Sequence, residues 1–205
     1  MQQLQDFQSF FARGAEAKLY DSKLIGLPVL VKERTQKTYR AKELDKRLRL
    51  SRTKNEARIM LRALAAGINV PKILSVGEFN IHMQKIDGKR LREAKLNSAK
   101  SKEVFKSAGE MLAKLHAAGI VHGDFTPANI LLSKKGLYLI DFGLASLSNE
   151  LEEKAVDVLL MEKSISGKEF AYFLNGYKKS KELKSILGRM QEIKKRGRYQ
   201  IRTEE

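Results

Sequence analysis

Residues 120–143 read IVHGDFTPANILLSKKGLYLIDFG. Two apolar runs, 130–132 and 137–140, flank Ser133-Lys134-Lys135-Gly136, which predicts strand, turn, strand. Asn129 precedes the first run and Asp141 follows the second, so a hairpin brings both to one end. Two converging oxygen ligands suit Mg²⁺, a hard cation that completes its shell with phosphate oxygens. Asp124, five positions before Asn129, is placed to orient a nucleophile and accept its proton. The spacing His-x-Asp, four residues, Asn, then Asp-Phe-Gly is the part list of phosphoryl transfer in a kinase catalytic loop.

Working outward, the upstream sequence supplies the other half of such a site. Strands are expected at 7–11, from Lys18, and at 27–31, with a small-residue turn at Gly14-Ala15-Glu16-Ala17. In a kinase-like fold that turn covers the ATP phosphates, although no G-x-G-x-x-G is present. Lys32 ends the strand VLVK and can reach the nucleotide's α- and β-phosphates. Glu56 lies in KNEARIMLRALAAGI, whose Ile59, Met60, Ala63 and Leu64 fall at helical spacing, and it is the expected ion-pair partner of Lys32. Gly67 ends that helix. Two more strands are expected between Val70 and Met83, and a hinge at 84–88. Gln84 and Ile86 of the hinge are assigned to the nucleotide.

Composition bounds the alternatives. The 205-residue chain is 42% hydrophobic and 31% charged, which suits a folded protein with a sizeable core. It has no cysteine, which excludes disulfides and thiolate metal sites. No apolar run approaches the roughly 18 residues of a membrane span, and residues 1–14 lack the pattern of a signal peptide, so a cytoplasmic location is expected. The net charge of +16 points to a polyanionic partner. Two segments carry much of it. Residues 32–58 hold eleven Lys or Arg against four acids, with Leu44, Leu48 and Leu50 suggesting a short helix. Residues 178–202 hold ten against two.

The remaining elements are helical. Val104, Ala108, Met111, Leu112 and Leu115 predict a helix over 98–119, with Ser98 as its cap. Helices are also expected at 151–163 and 168–175, and Asp157 is expected to accept hydrogen bonds from the catalytic-loop backbone. A last helix should break at Gly197, leaving 194–205 as a basic tail in which Arg196, Arg198 and Arg202 contact RNA or a partner. His122 braces its loop, His116 reads as a packed or surface residue, and His82 as a strand-face residue.

In order and spacing, several segments resemble the kinase subunit of the KEOPS complex, the PRPK-like kinases of archaea and eukaryotes. These are G-A-E-A at 14–17, V-K-E-R at 31–34, K-T-Y-R at 37–40, Leu44-Asp45 and R-T-K-N-E-A-R at 52–58. Further along come H-G-D-F-T-P-A-N at 122–129, D-F-G-L-A at 141–145, E-K-A-V-D at 153–157 and R-G-R at 196–198. The resemblance implies an α+β, reduced bilobal protein-kinase-like fold. An antiparallel-sheet N-lobe with one main helix would span 1–86, a short, mostly helical C-lobe 87–193, and a basic tail 194–205. It implies ATP and Mg²⁺ as cofactors, with Lys32 and Glu56 paired, Asp124 as base and Asn129 and Asp141 as metal ligands. It further implies ATP hydrolysis and self-phosphorylation, in support of a sugar-kinase-like subunit that makes threonylcarbamoyladenosine in tRNA. A small KEOPS subunit would bind the N-lobe, and the tail would meet tRNA and the sugar-kinase-like partner.

Departures are local. Lys42 stands where the family commonly has Pro, and Phe125 and Pro127-Ala128 replace Leu and Thr-Ser. Gly123 stands where ordinary protein kinases place an arginine that reads a phosphorylated loop, so activation of that kind is not expected. The alternatives are a RIO-type kinase of ribosome maturation, whose metal motif resembles I-D-x-x-Q where this chain has I-D-F-G, and a catalytically dead RNA-binding scaffold.

Overall fold

The computed structural model describes residues 10–13 and 17–202, with side chains from 17 to 196. Its first layer is a five-stranded antiparallel sheet in the order β1-β2-β3-β5-β4. The strands are β1 (Phe10–Arg13), β2 (Ala17–Leu24), β3 (Leu27–Arg34), β4 (Ile73–Val76) and β5 (Asn80–Gln84). Alternation along β3 sends Val29 and Val31 to one face and Leu30, Lys32 and Arg34 to the other. Opposite Lys32 on β5 is Ile81, which packs with Met83, Ala57, Ile59 and Met60 into the core.

Helix α1 (Lys42–Ala65) crosses this sheet. The sequence reading expected a short helix ahead of a separate one carrying Glu56; the structure has one helix of 24 residues. No Gly or Pro interrupts 42–65, and Gly67, at φ +76°, ends it in the left-handed region. Lys42 is its first residue, a position where proline is well tolerated because that N–H has no helical partner. The departure at Lys42 therefore leaves the turn intact.

The second layer opens with β6 (Gly88–Arg90), which pairs with the hairpin β8 (Ile130–Ser133) and β9 (Gly136–Leu139). Helix α2 (Ser98–Ala117) is capped by Asn97, whose side chain accepts from Lys100 N–H at 2.9 Å, and not by Ser98. Short β7 (Ile120–Val121) and β10 (Ser146–Leu147) pair across the catalytic stretch. Helices α3 (Leu151–Ser164), α4 (Gly167–Tyr177) and α5 (Leu183–Arg202) complete the core. Helix α5 continues through Gly197, so the expected break is absent. Its apolar side, with Ile186 and Met190, is buried, and Lys194 pairs with Glu162 of α3. Among the described residues no helix is long and apolar enough to cross a membrane.

Two glycines set how closely α2 and α4 approach. A Cβ on Gly109 would collide with the carbonyl of Phe173, and one on Gly176 with the carbonyl of Lys106. Neither obstacle is a movable side-chain end, so the helices must separate. Gly176→Ala is expected to cost about 3 kcal/mol in urea denaturation. Gly188→Ala, in open space on α5, is expected to stabilise by up to about 1 kcal/mol.

Candidate active site

Strand β3 and helix α1 meet at one carboxylate. Glu56, 2% exposed, accepts from Lys32 Nζ at 2.5 Å through one oxygen and from Arg34 Nη2 at 2.6 Å through the other. Lys32 and Arg34 share a strand face because they are two apart. Arg34 was missed in the sequence, although that period-two spacing was its signal. Lys32 Nζ also lies 2.7 Å from Asp141 Oδ1. Burial pushes the Lys32 ammonium down, but Glu56 and Asp141 outweigh it and hold the group above its ordinary range, so it stays charged. Burial pushes the Asp141 carboxyl up; the adjacent Lys32 ammonium prevails and holds it below the ordinary carboxylate range.

The hairpin carries Asn129 and Asp141 at its two ends. Ile140 N–H donates to the Asn129 carbonyl at 2.9 Å, which ties the two ends of β8–β9 together. Asn129 Nδ2 donates to Asp124 Oδ2 at 2.7 Å and to the Asp124 carbonyl at 2.9 Å. The amide oxygen of Asn129 is thereby left for another partner. Lys32, Glu56, Gln84, Ile86, Asn129 and Asp141 line a single cavity of about 270 Å³, with Leu19, Leu30, Met83, Leu131 and Ile140 as its apolar walls. Ala17 is buried at the start of β2, paired with Arg34; Gly14, Ala15 and Glu16 lie outside the described residues. Arg196 pairs with Glu152 of α3 at 2.7 Å, and the side chains of Arg198 and Arg202 lie outside the described residues.

The donor set fits Mg²⁺. Asn129 and Asp141 offer hard oxygen ligands at one cavity wall, and among the described residues no group of three His, Cys, Asp or Glu could hold a metal ion. Two protein ligands are too few alone, which matches an ion that shares phosphate oxygens with its nucleotide. Asp141 sits at φ +62°, a left-handed conformation that costs about 1 kcal/mol or more in a non-glycine residue.

A buried network holds the catalytic loop. Asp157 of α3 accepts from His122 N–H at 2.7 Å and from Gly123 N–H at 2.8 Å. Gly123 has φ +77°, and a Cβ there would meet the Leu144 carbonyl at 2.7 Å, so the arginine of ordinary kinases has no room at this backbone. Behind Asp157 lies His116, Nε2 at 3.1 Å from its carboxylate and Nδ1 at 2.6 Å from the Tyr177 hydroxyl. His116 is thus a buried polar link between α2, α3 and α4. His122 places Nε2 at 3.2 Å from the Ile140 carbonyl, which assigns the proton to Nε2. Its Nδ1 is buried without a partner among the described residues.

A strand lysine tied to a helix carboxylate, beneath a five-stranded sheet and facing a His-x-Asp loop and an Asp-Phe-Gly turn, defines the protein-kinase-like class of folds. The RIO domain family matches residues 27–173. The chain belongs to that family and, over nearly its whole length, to the Bud32 kinase subunits within it. It is 40% identical over 191 residues to the probable serine/threonine-protein kinase BUD32 homolog of Archaeoglobus fulgidus, covering 90% of this chain and 92% of that one. The KEOPS complex subunit Bud32 of Pyrococcus abyssi is 37% identical over 211 residues, at 93% and 96% coverage. The probable bifunctional tRNA threonylcarbamoyladenosine biosynthesis protein of Methanosphaera stadtmanae is 39% identical over 196 residues. That match takes in 91% of this chain, which spans 36% of the bifunctional relative's length. The Rio2 kinase of Chaetomium thermophilum, solved as an ADP/Mg²⁺-phosphoaspartate complex, shares the fold at a TM-score of 0.63 and 16% identity. The match covers 86% of this chain and 63% of that one. The I-D-F-G run therefore does not exclude the RIO domain family.

Two outcomes follow from this geometry. Arg34→Met removes one of the two cations on a buried carboxylate and is expected to cost about 1.5–3 kcal/mol. It should also weaken Mg-nucleotide binding about tenfold, with Arg34→Lys restoring part of both; unchanged nucleotide titration would leave Arg34 a purely structural residue. Burial pushes the His122 imidazole below its ordinary value near pH 6.5, against the opposing pull of Asp157. Below about pH 6.5 the unfolded chain takes up a proton that the folded chain refuses, so stability falls as pH drops. Urea unfolding between pH 7.5 and 5.5 should show that loss, reduced in His122→Gln.

Proposed function

We propose that this chain is an ATP-dependent kinase and ATPase subunit of a KEOPS-type assembly. In this reading it supports threonylcarbamoyladenosine formation in tRNA by a sugar-kinase-like partner, with a small subunit seated on the N-lobe and the protein at work in the cytoplasm. The observation that carries the reading is joint. The chain aligns with Bud32 proteins over at least 90% of both lengths, and Lys32, Glu56, Asn129 and Asp141 line one cavity, with Asp124 hydrogen-bonded to Asn129. The bifunctional relatives carry a matching segment in one polypeptide with further sequence, which favours a partner held close by.

Lys32, already charged, holds the α- and β-phosphates while Glu56 and Arg34 fix its direction. Asn129 and Asp141 would hold Mg²⁺, which supplies charge neutralisation on the transferring phosphoryl group. Asp124, positioned by Asn129, orients the acceptor oxygen and takes its proton as the new bond to the γ-phosphorus forms and the bond from that phosphorus to the bridging oxygen breaks, ADP leaving with that oxygen. The acceptor is water or a hydroxyl of the chain itself. Gln84 and Ile86 border the adenine end of the cavity. The N-lobe closes at residue 86, the C-lobe begins at 87, and the cations from 194 onward, Arg196, Arg198 and Arg202 among them, meet RNA.

Mg-dependent ATP hydrolysis is expected from the purified chain, rising when tRNA and the sugar-kinase-like subunit are added. It should vanish in Asp141→Ala while the fold is retained, as judged by circular dichroism. Nucleotide binding without turnover under every condition would favour the scaffold alternative. Removal of 194–205 is expected to weaken tRNA binding and flatten its dependence on salt; equal binding across salt concentrations would take this segment out of RNA contact.

A further inference from the structure

The basic run at 32–58 folds into more than a solvated face. Arg34, Thr35, Lys37, Arg40, Arg49 and Arg52 converge on one small crater between the end of β3 and the first half of α1. Its enclosed part is about 10 Å³, room for one oxygen-sized group, and the rest opens to solvent. Two of its guanidinium groups are held in place by neighbours and keep donors to spare. Arg49 lies over the Phe79 ring at 3.9 Å and gives its Nε–H to Asp45 at 2.7 Å, which leaves both Nη groups without a partner among the described residues. Arg40 stacks on Tyr39 at 5.2 Å and stands 4.0 Å from Asp45, beyond hydrogen-bond reach. Asp45 itself, fully buried, is committed to Arg49 and to Lys37 N–H at 3.2 Å. Pre-oriented guanidinium donors and a threonine hydroxyl around an oxygen-sized hollow match a tetrahedral dianion.

We propose that this crater binds a phosphate monoester group, either free phosphate or the phosphorylated hydroxyl of a side chain. The site lies apart from the nucleotide cavity, yet Arg34 links the two, since it lines the crater and holds Glu56, which lines the cavity. A compact hollow favours one tetrahedral group over an extended polynucleotide, whose phosphodiesters are singly charged and esterified on two oxygens.

The test uses the full chain with its nucleotide cavity saturated by a non-hydrolysable Mg-ATP analogue. Melting temperature is followed against inorganic phosphate, against a short phosphoserine peptide with its unphosphorylated control, and against NaCl at matched ionic strength. Phosphate or the phosphopeptide should raise the melting temperature beyond the salt control. Lys37→Gln/Arg40→Gln, which removes two charges while leaving polar side chains in their place, should raise the apparent Kd at least tenfold yet keep the analogue's own stabilisation. Arg40→Gln alone serves if the double variant is poorly folded. A response to free phosphate alone marks a soluble ion as the ligand, and a stronger response to the phosphopeptide marks a modified side chain. Equal responses in wild type and variant, or none beyond the salt control, would overturn the site. So would protection by a single-stranded RNA oligonucleotide with none by phosphate. If the analogue itself fails to bind, the nucleotide reading is at fault, and the comparison of wild type with variant still reports on the crater.

Discussion

One buried carboxylate organises the nucleotide side of this protein. Glu56 carries two cations, one on each oxygen, in a place where a single unpaired charge would be costly. With Lys32 alone, the glutamate would be free to swing whenever the lysine turned toward a phosphate. Arg34 removes that freedom, because it stays on the second oxygen when Lys32 moves. The same contact fixes α1 against β3, so the position of a 24-residue helix and the direction of Lys32 are one variable. Ordinary kinases regulate by making and breaking the lysine–glutamate pair. A chain that pins the glutamate with a second buried cation gives up that means of control, consistent with the absence of an arginine at Gly123.

The opposite wall rests on an analogous economy. Asp157 lends both carboxylate oxygens to backbone N–H groups of the catalytic loop, and His116 and Tyr177 hold it from behind. The Asp157 carboxylate can only accept, which places the His116 imidazole proton on Nε2; Nδ1 then accepts from the Tyr177 hydroxyl. Burial pushes the Tyr177 phenol up. Three helices thereby share responsibility for one loop, and the close α2–α4 approach at Gly109 and Gly176 is what brings Tyr177 within reach of His116.

Much of this was legible before any coordinates. The hairpin with Asn129 and Asp141 at one end, the Lys32–Glu56 pair and the role of Asp157 all follow from spacing, because each depends on a period or a motif that sequence records. What escaped reading has physical reasons. The unity of α1 was hidden because its first half is too charged to show an apolar stripe, so periodicity is silent there. The cap of α2 moved one residue because Asn97 and Ser98 are both good caps and only the backbone chooses. The break at Gly197 did not occur, since one glycine costs a helix about 1 kcal/mol and the apolar side of α5 is anchored on the core. Arg34 was overlooked because a charged residue at a strand end reads as surface until a buried acid is found opposite it.

Net charge was the least discriminating of the sequence signals, and the structure shows why its location matters more than its size. Along α5 three cations face acids: Lys194 meets Glu162, Arg196 meets Glu152, and Arg189 lies within 3.8 Å of Glu152. Those exposed pairs contribute little to stability, yet each lowers the local potential that a polyanion would feel. On α1 the exposed cations Lys46, Arg47 and Lys54 have no acidic partner among the described residues, and Arg40 and Arg49 keep donors unspent. Counting charges assigns the two basic segments equal weight. Counting partners adds location: among the described residues the unpaired cations Lys46 and Arg47 lie on the same element that carries Glu56 into the nucleotide cavity.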